Sequence, residues 1–373
     1  MNIGVRVPFL RADFPPDLND RLRDVLACGY VGAGRRVEAF ETALAAYLDV
    51  AHVICTSSCT AALTLSYLGA GVERGSTVLS TAMTCAATNI PLLHLGAKIV
   101  WLDVDSITGN VTADAVAAGL RDHADARAIV IMDWAGWPCA YDEIGAVAEH
   151  AGVPLILDGA QSFGSTYDGT RCGSGAGFIC YSFGPTKIFS TVEGGAVIVR
   201  DASIARELRA LRWYGVDRAA RSLVAFWEYD ITTPGYRFTA NDVFAEIGLQ
   251  LLPGFDDRLN CHRRIAQVYR EGLAGIAGVH VPIEDRRRES NYWMFSIVVE
   301  ARDRLMRRLH DEGIHAATPH NRNDHLQCFA TMHPAAVLAG LDAFAASYMC
   351  LPIGPWVTED DAAHVCSIVR AGW

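Results

Sequence analysis

The chain has 373 residues, enough for one large domain and a smaller one, and its net charge of −10 without a basic block argues against nucleic acid or an anionic membrane as a partner. Apolar residues form 51% of the sequence, so a large core can be buried. Because no apolar run approaches the roughly 20 residues of a membrane span and the first residues lack the apolar centre of a signal peptide, we expect a soluble, cytoplasmic protein.

Predicted helices and strands alternate through the first half of the chain. Apolar residues at helical spacing predict the helices, and short apolar runs predict the strands. The predicted elements, in chain order, are a helix over 17–28, a glycine-rich connector over 29–34, a helix over 37–48, a strand at 53–55, a strand at 78–79, a helix over 84–95, strands at 98–102 and 129–132, a helix over 141–150 and strands at 154–157 and 178–181. This order is that of βαβ units, which build parallel sheets.

The turn over 56–62, which follows the strand at 53–55, is rich in hydroxyl groups. The free N–H groups and the dipole at the start of a helix suit a phosphate, and hydroxyl side chains add donors. The same residues also suit an ordinary Ser/Thr helix cap, so both interpretations stay open on the residues alone.

Two charged residues follow buried strands in the centre of the chain. The strand at 154–157 ends at Asp158, and the strand at 178–181 leads through Ser182 to Lys187. In an open α/β sheet the ligand lies outside the carboxyl ends of the strands, so we expect both side chains to face one crevice. Such a pair suits pyridoxal 5'-phosphate (PLP), whose aldehyde forms a Schiff base with lysine while a carboxylate keeps its ring nitrogen protonated. An ordinary ion pair, or two solvated charges, is the alternative.

The pattern changes in the second half of the chain. The stretch from Tyr214 to Tyr229 is rich in charge and aromatics without a clear period, which predicts a long surface excursion that covers a cleft or contacts another subunit. From about Phe255 the alternation of strand and helix stops. The predicted elements there are a helix to about 276, a strand over 292–299, and helices over 303–312, within 334–349 and over 358–369. We therefore predict a large α/β domain over 1–254 and a small α+β domain over 255–373.

The eleven cysteines are scattered, odd in number and without a C-x-x-C pair. Most lie in apolar context, where a free thiol behaves as a small hydrophobe. His320 and His325 also lack the spacing of a metal site, so we expect reduced cysteines and no bound metal.

Three separated motifs occur in order: Asp158-Gly-Ala-Gln161, Ser182-Phe-Gly-Pro-Thr-Lys187 and Glu193-Gly-Gly195. Together they resemble the DegT/DnrJ/EryC1/StrS family of PLP-dependent sugar aminotransferases, whose patterns are D-x-A-Q, S-F-x-x-x-K and G-E-G-G. The resemblance extends from about Gly29 to the C-terminus. It implies an α/β protein with the type I PLP-transferase (aspartate aminotransferase-like) fold, in which a large domain with a mostly parallel sheet carries a small C-terminal α+β domain.

The resemblance also implies catalytic roles within these motifs. Lys187 would hold PLP as a Schiff base and, once its amine is freed, would move protons at the cofactor carbon. Asp158 would lie against the pyridinium nitrogen, and Gln161 would lie near the phenolic oxygen.

For the cofactor phosphate, the resemblance implies the hydroxyl of Ser182 and the turn before the next helix. The family pattern S-G-T-A-A-L is here Ser58-Cys59-Thr60-Ala-Ala-Leu63, so Ser58, Cys59 and Thr60 are the candidates. Cysteine replaces the usual glycine, which leaves the backbone donors in place.

Two further positions depart from the family pattern. Cys85 stands where an aromatic residue stacks on the cofactor ring, so stacking would be weaker there, with Met83 as a possible helper; a plain core cysteine is the alternative. Arg237 stands where an asparagine reaches the phosphate of the neighbouring subunit's cofactor. A guanidinium is a good phosphate partner, so the resemblance implies a homodimer with shared active sites, while a surface arginine is the alternative.

Three residues are candidates for the substrate side. Tyr30 lies in the glycine-rich stretch that borders the substrate cleft in the family, although the glycines alone suit a helix connector. Trp134 follows a strand tip that would face the cofactor. Of the two histidines in the segment PHNRNDHLQCF, which resembles a family segment at the entrance to the site, we expect His325 to be the substrate-side residue.

The reaction that the resemblance implies moves an amino group from glutamate or glutamine to a keto sugar, with a nucleotide-linked deoxysugar as the expected acceptor, in natural-product or surface-glycan biosynthesis. A cyclitol or a free sugar is an alternative acceptor. A PLP-dependent sugar dehydratase is disfavoured, because family members with that activity replace the lysine with histidine and Lys187 is present. A non-catalytic regulator with the same fold is disfavoured by the intact Asp158, Gln161, Ser182 and Lys187.

Overall fold

Helices and strands alternate from residue 35 to residue 158, as the apolar pattern predicts, and three further strands follow up to residue 199. The computed structural model describes residues 6–171, 173, 175–217, 230–283, 285–330 and 337–373, so most of the predicted excursion over 214–229 lies outside the described residues. The helices are α1 (Leu18–Ala27), α2 (Arg35–Leu48), α3 (Cys59–Gly69), α4 (Ala86–Leu95), α5 (Ala113–Asp122), α6 (Tyr141–Ala151), α7 (Ala202–Leu211), α8 (Asp242–Leu251), α9 (Phe255–Leu273), α10 (Arg302–Asp311), α11 (Gln327–Ala330), α12 (Ala339–Ser347) and α13 (Glu359–Arg370). The strands are β1 (His52–Thr56), β2 (Thr77–Thr81), β3 (Lys98–Leu102), β4 (Ala126–Met132), β5 (Leu155–Asp158), β6 (Thr166–Tyr167), β7 (Phe178–Ser182), β8 (Gly195–Val199), β9 (Val279–His280), β10 (Arg288–Glu289), β11 (Phe295–Val299) and β12 (Tyr348–Leu351).

In the described chain, seven of these strands form one sheet in the order β1-β8-β7-β5-β4-β2-β3. The run from β7 to β3 is parallel, whereas β8 is antiparallel to both β7 and β1. The predicted α/β class with a mostly parallel sheet is therefore confirmed. Because β4, β5 and β7 are parallel neighbours, their carboxyl ends lie at one edge of the sheet, and Asp158 pairs in register with Met132 on one side and Cys180 on the other.

A cluster of aromatic rings packs beneath the segment that carries Lys187. Phe183 and Phe189, which flank this lysine in sequence, are buried with their ring centroids 5.3 Å apart. Phe163 packs against both of them, at 5.5 and 5.0 Å. Truncating one buried phenylalanine typically costs about 3–5 kcal/mol, so these rings fix the loop between β7 and β8 firmly. The backbone adds a hydrogen bond from the N–H of Lys187 to the carbonyl of Gly184.

The C-terminal part builds a second core around a small antiparallel sheet in the order β12-β11-β9. Buried side chains of α9, α10 and α13 pack on it, together with Val7 from near the N-terminus. The helix predicted within 334–349 is wrong at its end: α12 stops at Ser347, and 348–351 is the strand β12. All four of its residues are buried, and a short apolar run of that length suits a buried strand as well as a helix end. The division at residue 254 stays a prediction.

No helix in the described ranges is both long and apolar enough to cross a bilayer. The ten cysteines within those ranges are free thiols. In the same ranges no cluster of three or more His, Cys, Asp or Glu residues has the arrangement needed to hold a metal ion.

Candidate active site

Asp158, the last residue of β5, is 3% exposed and holds its carboxylate with two hydrogen bonds. The backbone N–H of Ala160 donates to Oδ1 at 3.0 Å, and the hydroxyl of Thr88 donates to Oδ2 at 2.6 Å. Burial raises the pKa of Asp158, while these hydrogen bonds and the charge of Lys187 act in the opposite direction. The two hydrogen bonds thus fix the carboxylate in place, but they compensate its buried negative charge only in part. Such a carboxylate is suited to pair with a cationic group.

The hydroxyl of Thr88 is itself part of a chain. Thr84 Oγ1 lies 2.7 Å from Thr88 Oγ1, and since Thr88 gives its proton to Asp158, Thr84 is the donor to Thr88. Thr88 lies in the first turn of α4, and Thr84, four positions earlier, lies two residues before the helix begins, just ahead of the cap residue Cys85. The sequence analysis did not select Thr88; its only signal was a pair of threonines at that spacing in the segment that aligns with the family's stacking motif.

Lys187 is half-buried in the loop after β7, and its Nζ lies 3.6 Å from the centroid of the Trp293 ring. Burial lowers the pKa of Lys187 to about 8, against the influence of Cys59, Asp158 and Cys85, which raise it. A lysine with that pKa has a substantial unprotonated fraction near neutral pH, which a nucleophilic amine needs. The strands that lead to the two residues, β5 and β7, are parallel neighbours, which favours a shared crevice; that the amine and the carboxylate meet there stays a prediction.

The turn into α3 gives its three candidate residues different roles. Ser58 is the helix cap, and its Oγ accepts from the N–H of Ala61, which is the role that the sequence left open as the alternative. The N–H groups of Cys59 and Thr60 occupy the first two helical positions, where no intrahelical acceptor exists. The thiol of Cys59 is buried with Sγ 4.0 Å from Asp158 Oδ1, so this side chain points to the carboxylate and only its backbone can serve a phosphate.

Ser182 lies opposite this turn at the end of β7, and its Oγ accepts from the N–H of Gly184 at 3.3 Å. Its strand partner Gly195 lies so close to the start of α3 that a Cβ there would come within 2.5 Å of the backbone nitrogen of Cys59. The glycine therefore allows the helix start to approach the strand pair that leads to Lys187. The start of α3, with its free backbone N–H groups, therefore lies near the hydroxyl of Ser182. A phosphate site requires such a combination of donors.

Gln161 is 4% exposed and bridges two walls of the site. Its Oε1 accepts from the N–H of Ala135 at 2.6 Å, and its Nε2 lies 3.3 Å from Nε2 of His320. Burial and the charge of Lys187 lower the pKa of His320 to about 4, so its imidazole is neutral at physiological pH. The structure thus brings His320 next to Gln161, while the exposed His325 lines a surface cavity together with His320; a substrate-side role for His325 stays a prediction.

Trp134, a candidate for the substrate side, is 1% exposed. Its indole N–H donates to Ser296 Oγ at 3.0 Å, and its ring packs edge-on against His320, Phe344 and Tyr348. In this structure the tryptophan supports the wall that carries His320 and presents almost no surface of its own. A substrate-contact role for Trp134 stays a prediction.

Cys85 occupies the N-cap position of α4, its side chain makes no capping hydrogen bond, and the residue is exposed. Tyr30 is 54% exposed, and its hydroxyl donates to the carbonyl of Ala33. The glycine-rich connector around Tyr30 is anchored by Asp242, which accepts from the backbone N–H of Gly34. These positions agree with a cofactor face at Cys85 and an accessible surface at Tyr30, and both roles stay predictions.

Arg237 is exposed and lies on an aromatic surface of the large domain. Its guanidinium is 4.7 Å from the centroid of the Trp213 ring, and its Nη1 donates to the hydroxyl of Tyr214. The stacked arrangement holds the guanidinium at the surface without burying it. The role in a partner subunit's site stays a prediction.

These residues fit PLP. The depressed pKa of Lys187, the buried carboxylate of Asp158 and the donor-rich start of α3 supply the amine, the pyridinium partner and the phosphate site that this cofactor requires. The close approach at Gly195 brings the phosphate side next to the lysine loop.

The model of the DegT/DnrJ/EryC1/StrS aminotransferase family matches residues 15–370. The chain belongs to this family. It is 34% identical to the sugar aminotransferase CalS13 of Micromonospora echinospora, with a TM-score of 0.93 over 98% of this chain and 100% of that one. DesV of S. venezuelae, solved in complex with a ketimine intermediate, is 26% identical, with a TM-score of 0.91 over 98% of each chain. The spore coat polysaccharide biosynthesis protein SpsC of Bacillus subtilis is 27% identical over 361 residues, which are 93% of this chain and 92% of that protein.

Membership of the DegT/DnrJ/EryC1/StrS family makes this chain a PLP-dependent aminotransferase with the type I PLP-transferase fold. The resemblance derived from three sequence motifs is therefore confirmed, together with the fold class, the enzyme class and the cofactor.

Proposed function

We propose that the enzyme transfers an amino group from glutamate or glutamine to the ketone of a sugar, most often one carried on a nucleotide. The observation that supports this proposal is that β5, which ends at Asp158, is the parallel neighbour of β7, which leads to Lys187, in a chain that resembles a named sugar aminotransferase over nearly its whole length. PLP, when bound, supplies an aldehyde for the amine and a ring that accepts the electrons released at the reacting carbon.

In this proposal Lys187, Asp158 and Gln161 each have a separate role toward the cofactor. Lys187 holds the cofactor through its amine and, when freed, carries a proton to and from the reacting carbon, for which a pKa of about 8 suits physiological pH. Asp158 keeps the ring nitrogen protonated, and Thr88 and Ala160 hold its carboxylate in position. Gln161 would lie near the phenolic oxygen of the cofactor, and its side chain is held by the N–H of Ala135 at Oε1 and lies beside His320 at Nε2.

The phosphate is assigned to the backbone N–H groups of Cys59 and Thr60, the hydroxyls of Thr60 and Ser182, and Arg237 of a second copy. The exposed guanidinium of Arg237 on its aromatic surface supports a role between subunits, since a charged group can serve a neighbour only from the surface. The enzyme would then be a homodimer with shared active sites. Tyr30, also exposed on the large domain, suits the same shared cleft.

The sugar acceptor is supported by the relatives, because CalS13 is a sugar aminotransferase and SpsC is a polysaccharide biosynthesis protein. Natural-product or surface-glycan biosynthesis is the corresponding context. A cytoplasmic location belongs to the same proposal, since the ten cysteines within the described residues are unpaired, which suits a reducing compartment.

The test is a panel of keto sugars, nucleotide-linked and free, and keto cyclitols, each offered with glutamate and with glutamine to the PLP-loaded enzyme. Amine transfer to at least one keto sugar, detected as a new amino sugar by mass spectrometry, is the expected result. Transfer to cyclitols alone would change the acceptor class, and transfer to none would overturn the sugar assignment. In parallel, the visible absorption band that PLP gives with the wild type should be absent from Lys187→Ala; a band that persists there would refute the assignment of Lys187.

A further inference from the structure

Trp293, just before β11, lies directly against the amine of Lys187. Its side chain is 4% exposed, and Nζ of the lysine is 3.6 Å from the centroid of its ring. A cation over an aromatic face within about 6 Å of the centroid is attracted by the ring quadrupole, and tryptophan is the strongest such partner.

The ring is fixed by hydrogen bonds on two sides. Its indole N–H donates to the carbonyl of Thr186, the residue before the lysine, at 2.7 Å. Its backbone N–H donates to Asn291, whose amide donates in turn to the carbonyl of Gln161. Trp293 is therefore tied to both segments that carry the proposed cofactor residues, and the lysine can move without taking the ring along.

The other titratable groups near the amine come from four different elements. They are the thiol of Cys59 on α3, the thiol of Cys85 at the start of α4, the carboxyl of Asp158 on β5 and the imidazole of His320 in the loop after β11 and α10. Among them only the carboxyl would attract an ammonium strongly, and it is bonded to Thr88 and Ala160. A neutral ring face stabilises the ammonium without engaging the carboxylate that the cofactor needs.

We propose that Trp293 is a positioning residue for Lys187, whose ring face holds the ε-ammonium whenever the amine is not bonded to the cofactor. This inference rests on the proposed role of Lys187. The ring keeps the released amine inside the site, aimed at the place from which it departed, and it raises the pKa of the lysine against the effect of burial.

The test follows the reaction of PLP with cofactor-free protein, in which only the unprotonated amine reacts. The rate at which the visible band appears is measured against pH for the wild type, Trp293→Phe and Trp293→Leu. We expect the midpoint of the pH profile to fall by about one unit in the leucine variant and by less in the phenylalanine variant. Below the midpoint, the unprotonated fraction should then be up to roughly tenfold larger in Trp293→Leu. Better access of water to the site would move the midpoint upward instead, so the direction of the shift separates the two causes.

Trp101→Phe is the matched control, because Trp101 is a buried tryptophan that packs against Phe329 away from the lysine. Its midpoint should equal that of the wild type. An unchanged or raised midpoint in Trp293→Leu, with circular dichroism and thermal unfolding like the wild type, would overturn the inference. If the leucine variant does not fold, an unchanged midpoint in Trp293→Phe would overturn it. A wild type that forms no visible band with PLP would refute the proposed role of Lys187 instead, so the two failures are distinguishable.

Discussion

Thr88→Val removes a hydroxyl of nearly the same shape from the buried carboxylate of Asp158. The lost bond, 2.6 Å from Oγ1 to Oδ2, is a hydrogen bond to a charged group, and such bonds contribute about 1.5–3 kcal/mol. One pKa unit corresponds to about 1.4 kcal/mol, so the pKa of Asp158 should rise by about one to two units beyond the rise that burial already causes.

The effect on stability depends on pH in a defined direction. Because the pKa of Asp158 is raised in the folded protein, the native state holds the proton more tightly than the unfolded chain, and this contribution is present at acid pH and lost as pH rises through the folded-state pKa. In Thr88→Val the folded-state pKa of Asp158 is higher still, so more stability is lost as the pH rises. The free energy of unfolding of the cofactor-free variant should match the wild type most closely at the acid end and fall below it by about 1.5–3 kcal/mol at neutral pH.

Urea unfolding of both cofactor-free proteins at a series of pH values measures this difference. Thr84→Val is the matched control, since Thr84 donates only to the neutral hydroxyl of Thr88. Its cost should be about 1 kcal/mol and nearly independent of pH. A pH-independent difference for Thr88→Val as well would refute the reasoning, because the hydroxyl would then not be serving an ionised carboxylate.

Three further substitutions test the close packing at Gly195, the proposed cofactor contact at Cys85 and the backbone conformation at Val192. Gly195→Ala places a Cβ within 2.5 Å of the backbone nitrogen of Cys59 and should destabilise by about 1–3 kcal/mol in urea unfolding, whereas Gly177→Ala, whose Cβ would come no closer than 3.7 Å to another atom, should cost much less. Cys85→Phe should tighten PLP binding up to about tenfold in an absorbance titration, because a ring face replaces a thiol next to the cofactor ring; unchanged affinity would show that Cys85 does not face that ring. Val192→Asn should stabilise by about 1 kcal/mol in thermal unfolding, since this half-exposed valine has a φ of +72°, which asparagine tolerates better; a lower melting temperature would contradict this.

The parallel part of the sheet could be predicted because its strands are short, wholly apolar runs, which mark strands buried on both faces. The same pattern placed Asp158 at the tip of its strand, as the structure has it. The apolar pattern did not allow us to predict which strands β1 and β8 pair with. An apolar run of five residues fits a sheet in either direction, and the antiparallel pairing of 52–56 with 195–199 joins segments about 140 residues apart.

Within the site, the motifs identified Lys187 and Asp158 because each follows a strand tip in sequence. Thr88 and Trp293 were missed for a different reason: each lies far in sequence from Lys187 and Asp158, and its own neighbourhood does not mark it. His320 was recognised in its segment, but the substrate-side role was predicted for His325. A local turn gives the two histidines different surroundings, which their sequence positions do not predict. Residues 323–325 form a 3-10 turn that leaves His325 exposed, whereas His320 lies beside Gln161.

The segment that contains this turn and His320 is hydrogen-bonded both to the residues before α4 and to the strand β12. Asn323 is fully buried: its backbone N–H donates to the carbonyl of Ala82, and its side chain donates to the carbonyl of Thr84. The neighbouring His320 has its carbonyl bonded to the hydroxyl of Tyr348 in β12. The wall opposite Lys187 is therefore anchored both to the helix start that positions Thr88 and to the C-terminal sheet. A fragment ending at residue 254 would keep the amine and the carboxylate but lose this wall and the ring of Trp293. It would also lose part of the first core, which includes Phe255 and Leu259, so the part before residue 254 is not expected to be active alone.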